Sequence, residues 1–378
     1  MQNKWSNHKI ILITPTASQP RYHKRVTQFA AGCNVIVFAF SRGYYDENIF
    51  PAKIPFVSLG KIKDGKYFRR LFRVIAAVFM IRTHLRDREN CFYYAMSFDC
   101  MIIARLCGLK HGFYEIGDLR QAEGFGKLFA FLEKMLVKRA SGLVLTSRYF
   151  YHDFYRKKGI LPRQRIYIID NKINQLLANK RPYEKNISRG RIVIGVVGLL
   201  RYRRPIELLL GFVKKRPESY IIECFGDGIF RGLVESYVCE NIRYHGSFKN
   251  PEELPDIYAR LDLNYVVYDN SSKNVRLAIP NKIFESAYFG VPIVCCEGTS
   301  VGKMAMEWQI GKTVQIDSKD NFEDDLGTID KSWLNKCSEN CFKIPSSELI
   351  DNGEQIIQKM LVDAGEYMPD SAKMVRKG

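Results

Sequence analysis

A chain of 378 residues is too long for one ordinary hydrophobic core and suits two domains of about 150–200 residues. Its 46% apolar and 13% aromatic content excludes an intrinsically disordered protein. The net charge of +18 is unevenly placed: residues 1–190 hold 34 Lys and Arg against 13 Asp and Glu, whereas residues 191–378 hold 24 against 27. This asymmetry predicts that the first half faces an anionic surface or polymer. A basic surface that only aids solubility is the alternative.

The N-terminal stretch contains only a short apolar run, and no later stretch reaches the roughly 18 apolar residues that a membrane span requires. The ten cysteines form no C-x-x-C pair and most lie in apolar runs, which favours reduced thiols over disulfides. We therefore expect a cytoplasmic protein.

Short apolar stretches alternate with amphipathic helical stretches along the first half. Strands separated by helices predict parallel β-α-β units with helices on both faces of a sheet. The predicted strands are 9–14, 34–40, 56–59, 91–96, 111–116 and 142–147, with helices from about residue 22, within 66–88 and near 125–139.

A polar stretch at 171–190 has little periodicity and is interpreted as a linker to a second alternating series. That series has predicted strands at 191–198, 220–226, 242–246, 261–268, 291–296 and 311–316, and helices at 205–215, 252–260, 281–289 and 345–363. The predicted fold class is α/β, with two doubly wound, Rossmann-like parallel-sheet domains that face a ligand-binding cleft. The expected divisions are 1–180, 181–345 and 346–378, the last holding a helix that crosses back to the first domain and a tail.

The stretch "RIVIGVVGLLRYRRPIELLLGF" begins as a buried strand and becomes strongly basic. Gly198 ends the strand, and Pro205 suits the first turn of a helix. Arg201 and Arg204 stand between them, at a helix N-terminus that already favours anions. Because guanidinium groups bind phosphate oxygens in pairs, the pattern predicts a diphosphate site. A solvated turn is the alternative.

A second motif, "IPNKIFESAYFGVPIVC", places Lys282 and Glu285 one helical turn apart, directly after Asn281. An exposed carboxylate at this position can accept hydrogen bonds from two vicinal sugar hydroxyls, while the lysine meets a neighbouring phosphate. The alternative is an ordinary i,i+3 salt bridge on a helix face.

Two stretches of the first half follow predicted strands. "TPTASQPRYHKR" offers Arg21 and Lys24, two cations that could close over the phosphates of a ligand. "YEIGDLR" offers Glu115, Asp118 and Arg120 at a strand end. A carboxylate there could act as general base on a hydroxyl of a ligand, or orient that ligand. A helix N-cap is the alternative for Asp118.

The second half resembles the group 1 (family 4-type) glycosyltransferases of the GT-B fold, in particular those that build bacterial capsule and lipid-linked polysaccharides. The resemblance covers 191–316 and rests on "GLLRYRRPIELLL", "FGDG", "YHGSF", "ELPDIYARLDLNYVVYD" and above all "PNKIFESAYFGVPIV". It is looser over 1–150, where "FYEIGDLR" and "SGLVLTS" are similar to the first domain of that family.

The resemblance implies roles for several residues. Arg204 stands where the family has a phosphate-binding lysine. The family's arginine after the glycine is Leu199 here, so Arg201 is the expected substitute. Glu285 matches the glutamate that binds the donor ribose, and Gly246 should present its backbone to the nucleotide base.

Asp118 best matches the strand-end His or Asp of the family's first domain. The first glutamate of the E-x7-E pattern is replaced by Leu277, which leaves retention or inversion of the sugar linkage open. We therefore expect Asp118, Arg201 and Arg204 to be catalytic, Gly198, Gly246, Asn281, Lys282 and Glu285 to bind the donor, and Arg21, Glu115 and Arg120 to serve the acceptor or phosphate side. No D-x-D triplet follows an apolar strand, so no metal and no cofactor are expected, with a UDP-sugar as the favoured substrate.

The stretch "KYFRRLFRVIAAVFMIRTHLRDR" predicts a basic helix with Phe68, Leu71, Phe72, Ile75, Val78 and Phe79 at helical spacing. This pattern is typical of an interfacial helix on anionic lipid. It equally suits a helix packed on the sheet, because its eight central residues are apolar without a break.

These observations predict a metal-independent glycosyltransferase that uses a nucleotide diphosphate sugar and a lipid-linked or polysaccharide acceptor. It would act at the cytoplasmic face of the cell membrane, peripheral to anionic lipid. A nucleotide-sugar 2-epimerase of the same fold is one alternative, although it has no need of a basic first domain. A nucleic-acid-binding protein is the other, although no recognised nucleic-acid motif occurs.

Overall fold

The computed structural model describes residues 9–17, 19–41, 50–51, 53–62, 67–85, 91–119, 126–160, 165–187 and 190–365, with the backbone alone at 67–70, 126 and 365. Within them the chain forms two compact units: residues up to Ile169 together with the segment from Asn352, and residues Asp170–Asp351. The sequence-based domain boundaries were residues 180 and 345. In the structure the chain passes from one unit to the other after residues 169 and 351.

The first unit is built on a seven-stranded parallel sheet with the order β3-β2-β1-β4-β5-β6-β7. Its elements are β1 (Lys9–Thr14), α1 (Pro20–Ala30), β2 (Asn34–Ser41), β3 (Phe56–Lys61), α2 (Tyr67–His84), β4 (Cys91–Ala95), α3 (Phe98–Leu106), β5 (His111–Ile116), α4 (Gly126–Arg139), β6 (Gly142–Leu145), α5 (Arg148–Phe150) with a π-helical turn (Tyr151–Tyr155), and β7 (Arg165–Ile168).

The second unit is built on a six-stranded parallel sheet with the order β10-β9-β8-β11-β12-β13. It begins with a 3₁₀ turn (Gln175–Leu177), followed by β8 (Ile192–Val197), α6 (Arg203–Lys214), β9 (Tyr220–Phe225), α7 (Arg231–Glu235), β10 (Ile242–Gly246), α8 (Leu254–Ala259), β11 (Leu263–Val266), α9 (Lys273–Leu277), α10 (Asn281–Phe289), β12 (Ile293–Cys296), α11 (Ser300–Glu307), β13 (Gly311–Val314), α12 (Lys319–Gly327), α13 (Lys331–Lys343) and α14 (Ser346–Leu349). The last helix, α15 (Gly353–Gly365), belongs to the first unit.

Two parallel sheets flanked by helices confirm the predicted α/β fold class. The strands are near-continuous apolar runs because both faces of each sheet are covered. In the first unit one side of β1 packs against α1 through Val26 and Phe29, and α15 adds Ile357 and Met360 to the same core. This contact explains why the chain returns to the first unit at its end.

The predicted single helix at 345–363 is wrong, because the chain there forms two helices. Between α14 and α15, Ile350 pairs with Ile173 in an extended bridge, and the N–H of Asp351 donates to the Ile173 carbonyl at 2.8 Å. Extended pairing at this point is incompatible with a continuous helix.

The polar stretch at 171–190 is also more than a linker. Arg181 donates hydrogen bonds to the carbonyls of Ile344 and Cys341, both at 2.9 Å. Lys185 donates to the carbonyl of Tyr258 at 3.0 Å, and burial lowers the pKa of this lysine to about 8. The segment lacks periodicity because its polar side chains bind the backbone of the second unit.

No helix within the described residues combines the length and the hydropathy needed to cross a lipid bilayer.

Candidate functional site

The topological switch point of the second sheet lies between β8 and β11. From β8 the chain moves outward through β9 to β10 and then returns to the other side of β8 at β11. Doubly wound sheets bind ligands at the carboxyl ends of the strands at such a point. The loop after β8 and the start of α10 meet here, since a Cβ atom on Gly198 would lie 3.2 Å from Cε of Lys282. The structure therefore brings these two predicted donor-binding residues together.

Three glycines stand at the carboxyl ends of β8, β9 and β10. Gly198, Gly226 and Gly246 all have positive φ angles. The N–H of Gly198 donates to the Phe225 carbonyl, and the N–H of Gly226 donates to the Gly246 carbonyl, each at 2.7 Å. A Cβ atom on Gly226 would lie 1.8 Å from the carbonyl oxygen of Gly198. Only glycine fits at this position, and the close backbone contact fixes the path of the loop after β8.

Glu285 is buried and paired. Its side chain is 4% exposed and that of Lys282 is 7% exposed, with Lys282 Nζ 2.7 Å from Glu285 Oε2. Tyr258 donates its hydroxyl to the same oxygen at 2.8 Å, and Asn281 Nδ2 donates to Oε1. The expectation of an exposed carboxylate is wrong. The i,i+3 salt bridge exists, but it lies inside the unit.

Two buried residues that were not predicted from the sequence hold this group in place. Asn264 on β11 donates to the hydroxyl of Tyr258 at 3.2 Å and to that of Ser286 at 2.8 Å. Tyr258 on α8 in turn bonds Glu285. The available signal was an asparagine inside the apolar stretch "LDLNYVVY", because buried polar side chains need a hydrogen-bonding reason.

The loop after β10 reaches the same site. Lys282 Nζ lies 5.9 Å from the centroid of the Phe248 ring, within the range of a cation–π contact. Gly246 comes two residues earlier and leaves open space where a side chain would stand. Open backbone beside an aromatic ring suits a flat ligand. Of these two residues, only Gly246 was predicted from the sequence.

The two predicted catalytic arginines are placed differently. Arg201 is exposed, and its charge acts on Tyr268, whose pKa is raised by burial and also by Tyr202 and Glu285. Arg204 donates to the carbonyls of Ile316 at 2.7 Å and Asp317 at 2.9 Å, after β13. Arg201 and Glu285 thus both act on the Tyr268 hydroxyl, whereas Arg204 binds the backbone after β13. Their contact with phosphate stays a prediction.

The helices that begin at the site have uncapped N-termini. Neither Tyr202 before α6 nor Pro280 before α10 accepts a side-chain capping hydrogen bond. Such helix ends retain unpaired N–H groups and a partial positive charge, which favour an anion.

In the first unit, a buried ionic cluster lies where β4 and β5 end. Arg25 Nε donates to Glu115 Oε2 at 3.0 Å, and both side chains are 1% exposed. Tyr94 donates its hydroxyl to the same carboxylate oxygen, while Arg21 Nε lies 4.0 Å from Oε1. Burial opposes ionisation of Glu115, but Arg25 and Arg21 lower its pKa below the usual value. Glu115 is therefore an ion-pair partner that positions the arginines.

Arg21 and Asp118 line a small cavity of about 30 Å³ at the same edge. Burial alone would lower the pKa of Arg21, but Tyr22, Asp118 and Glu115 raise it above its usual value. Arg21 donates to the Tyr22 hydroxyl at 2.7 Å, and Asp118 is exposed. This edge offers a fixed cation beside a solvent-accessible carboxylate. Arg120 lies outside the described residues.

Arg25 was missed by the sequence analysis although a signal was present. The buried face of α1 contains Tyr22, Val26 and Phe29, and Arg25 lies on that face. A charged residue at a buried helical position requires a buried partner, which is Glu115.

Gly117 makes room for Arg21, and its substitution by alanine tests this arrangement. The new Cβ would lie 2.2 Å from Nη1 of Arg21. A flexible side-chain end can move, so we expect the melting temperature to change little. If Arg21 contacts a substrate, its displacement should slow the reaction of that substrate by about 10- to 100-fold. Arg21→Met should reproduce this loss, and a Gly117→Ala enzyme of normal rate would contradict a role for Arg21.

Among the described residues, no group of three His, Cys, Asp or Glu side chains could hold a metal ion. Metal independence stays a prediction.

Comparison with known proteins gave structural matches alone: no family model and no curated protein sequence matches the chain. A sucrose-phosphate synthase from Thermosynechococcus elongatus is 12% identical, covers 96% of this chain and 99% of its own, and has a TM-score of 0.70. HepE from Anabaena, solved with UDP-glucose, is 15% identical, covers 94% of this chain and 100% of its own, and has a TM-score of 0.66. WaaG, a glycosyltransferase of lipopolysaccharide biosynthesis, is 13% identical, covers 88% of this chain and 94% of its own, and has a TM-score of 0.64. The chain therefore has the fold of the GT-B glycosyltransferases.

Proposed function

We propose that the protein is a glycosyltransferase that moves a sugar from a nucleotide diphosphate sugar, with UDP favoured, to a lipid-linked or polysaccharide acceptor. The proposal rests mainly on one observation: the loop after β8, which starts at Gly198, meets the Lys282–Glu285 pair at the switch point of the second sheet. Support comes from HepE, a structural neighbour that binds UDP and UDP-glucose.

The Glu285 carboxylate retains limited capacity for a ligand. Two carboxylate oxygens offer about four acceptor positions, and Asn281, Lys282 and Tyr258 fill three of them. The remaining position is on Oε1. A first ribose hydroxyl would bind there, and a second would compete with the Asn281 amide. Donor binding should therefore move Asn281 and leave the Lys282 ion pair in place.

The diphosphate would lie between the N-termini of α6 and α10. Uncapped N–H groups, the Lys282 ammonium and the exposed Arg201 guanidinium can neutralise the charge that grows on the leaving phosphate. In the first unit, Arg21 would orient the acceptor or sugar, and Asp118 would take the proton of the attacking hydroxyl.

The surfaces of α2 and α4 suggest where in the cell the protein acts. Both helices contact α3. On α2 the buried face holds Val74, Ala77, Val78 and Ile81, so this helix packs on the sheet, yet Leu71, Phe72, Ile75 and Phe79 are exposed. Leu128 and Phe131 on α4 are exposed too. We call these six exposed residues the apolar surface of the first unit.

The charges around this apolar surface favour anionic lipid. α2 contains no acidic residue, and the single acid of α4, Glu133, is buried and bonded to Tyr155. Arg73 and Lys134 are exposed beside the apolar residues. Basic helices with exposed aromatic side chains bind membrane interfaces. We propose that the first unit docks on the cytoplasmic face of the cell membrane, where a lipid-linked acceptor would be presented.

The membrane proposal predicts salt-sensitive flotation with vesicles of anionic lipid, and weak flotation with neutral vesicles. Phe72→Ser with Phe79→Ser should reduce the partition coefficient by at least about 100-fold, because burial of each ring contributes about 1.5–3 kcal/mol. Arg69→Gln, Arg70→Gln and Arg73→Gln together should cause a similar loss at about 1 kcal/mol per charge.

The matched control is Ile229→Ser with Val238→Ser, which removes two exposed apolar side chains from the second unit. Equal flotation of the control and the phenylalanine variant would contradict docking through α2.

The donor proposal is tested by a thermal-shift screen with UDP, GDP, CMP and their sugars. A ligand that binds the folded state raises its melting temperature, so UDP and at least one UDP-sugar should produce the largest shifts. No shift with any nucleotide would contradict the proposed function. Conversion of a UDP-sugar to its 2-epimer without an acceptor would favour the epimerase instead.

A further inference from the structure

A second cavity, of about 430 Å³, lies in the first unit at the amino end of β5, whereas Asp118 lies beyond its carboxyl end. It is lined by Lys110, His111, Met135, Lys138, Arg139, Ala140 and Ser141. His111 is the first residue of β5, and Asp118 comes two residues after its last. At about 3.3 Å per residue the two points are about 20 Å apart, so this cavity is separate from the candidate site.

The lining combines three permanent cations with hydrogen-bond donors. Lys110, Lys138 and Arg139 are exposed, and no Asp or Glu is among the described residues that line the cavity. Ser141 Oγ accepts the N–H of Gly112 at 3.1 Å, so its own hydroxyl hydrogen can point to a ligand. Burial and the charges of Lys110 and Arg105 lower the pKa of His111. This end of β5 therefore has a positive potential.

We propose that this cavity binds a phosphate group of an anionic ligand. A guanidinium, two ammonium groups and a hydroxyl match the oxygens of a phosphate. The volume exceeds that of a phosphate alone, and Met135 and Ala140 supply apolar wall beside the cations. The ligand would therefore be a phosphate carrying an organic group, either a soluble phosphorylated sugar or a phospholipid headgroup.

His111 can report on a bound ligand directly, because this residue lines the cavity. With ¹³C-labelled histidine, the His111 resonance can be identified by its loss in His111→Gln. Titration with pyrophosphate should shift this resonance saturably, and bound phosphate should raise the His111 pKa. The Lys138→Gln/Arg139→Gln variant should bind at least tenfold more weakly.

The matched control is Lys127→Gln/Arg156→Gln, which removes two exposed charges of the first unit outside the cavity. It should keep wild-type affinity. The same titration with glycerol phosphate and with glucose 1-phosphate distinguishes the sources: tighter binding of the former indicates a headgroup and of the latter a soluble sugar phosphate. No saturable His111 shift with any of the three, or equal weakening in both double variants, would overturn the proposal.

Discussion

Replacing Glu285 with alanine should destabilise the second unit by about 3–5 kcal/mol. The substitution leaves the Lys282 ammonium buried without its partner and removes the acceptor of the Tyr258 hydroxyl. Loss of one member of a buried ion pair has a cost of this size because the remaining charge stays desolvated. Donor affinity should fall as well, since the proposed ribose acceptor is gone.

Urea unfolding followed by tryptophan fluorescence measures this effect in a Trp5→Phe background, because Trp308 and Trp333 both belong to the second unit. Glu307→Ala is the matched control: it breaks an exposed pair with Lys303 at 3.8 Å and should change stability by at most about 1 kcal/mol. Lys282→Met combined with Glu285→Gln should recover much of the stability without restoring donor binding. If Glu285→Ala were no more destabilising than Glu307→Ala, the buried network would be contradicted.

The second large effect is expected at Gly226. An alanine there would place its Cβ 1.8 Å from the Gly198 carbonyl oxygen and require a φ near +142°. Neither strain can be relieved by a side-chain movement, because the contact is with backbone. We expect a loss of more than about 3 kcal/mol in stability or a displaced loop after β8, and in either case no measurable nucleotide binding.

Gly211→Ala is the control for this experiment. Gly211 lies within α6, and nothing lies within 4 Å of its added Cβ. Alanine should stabilise this helix by about 0.4–1 kcal/mol and leave nucleotide binding unchanged. Gly226→Ala protein with wild-type nucleotide affinity would show that the glycine contact does not shape the site.

Much of the fold was predictable because its strands are apolar runs separated by helical periodicity. Strand 242–246 and helix 281–289 coincide with β10 and α10. The helix α13 was missed because polar residues lie on its buried face. Ser338 donates to the Gly290 carbonyl and Asn340 to that of Gln309. Such tertiary hydrogen bonds replace apolar contacts, and periodicity cannot detect them.

The candidate site was predictable where neighbouring residues build it. The spacing of Lys282 and Glu285 indicated their pairing, and Gly198 marked the end of a strand. The burial of Glu285 was not predictable, because the residues that enclose it, Tyr258 and Asn264, lie on α8 and β11, which are distant in sequence. Likewise, the partner of Arg25 is 90 residues away in the chain.

Hydrogen-exchange mass spectrometry with and without UDP tests the central claim most directly, because it locates a ligand without knowledge of the sugar or acceptor. The donor site proposed for the second unit predicts slower exchange in three segments together: the loop from Gly198 into α6, the loop after Gly246, and the start of α10 near Lys282. The Glu285→Gln variant should show weaker protection at the same UDP concentration. Protection elsewhere in the chain, or none at saturating UDP, would contradict the account.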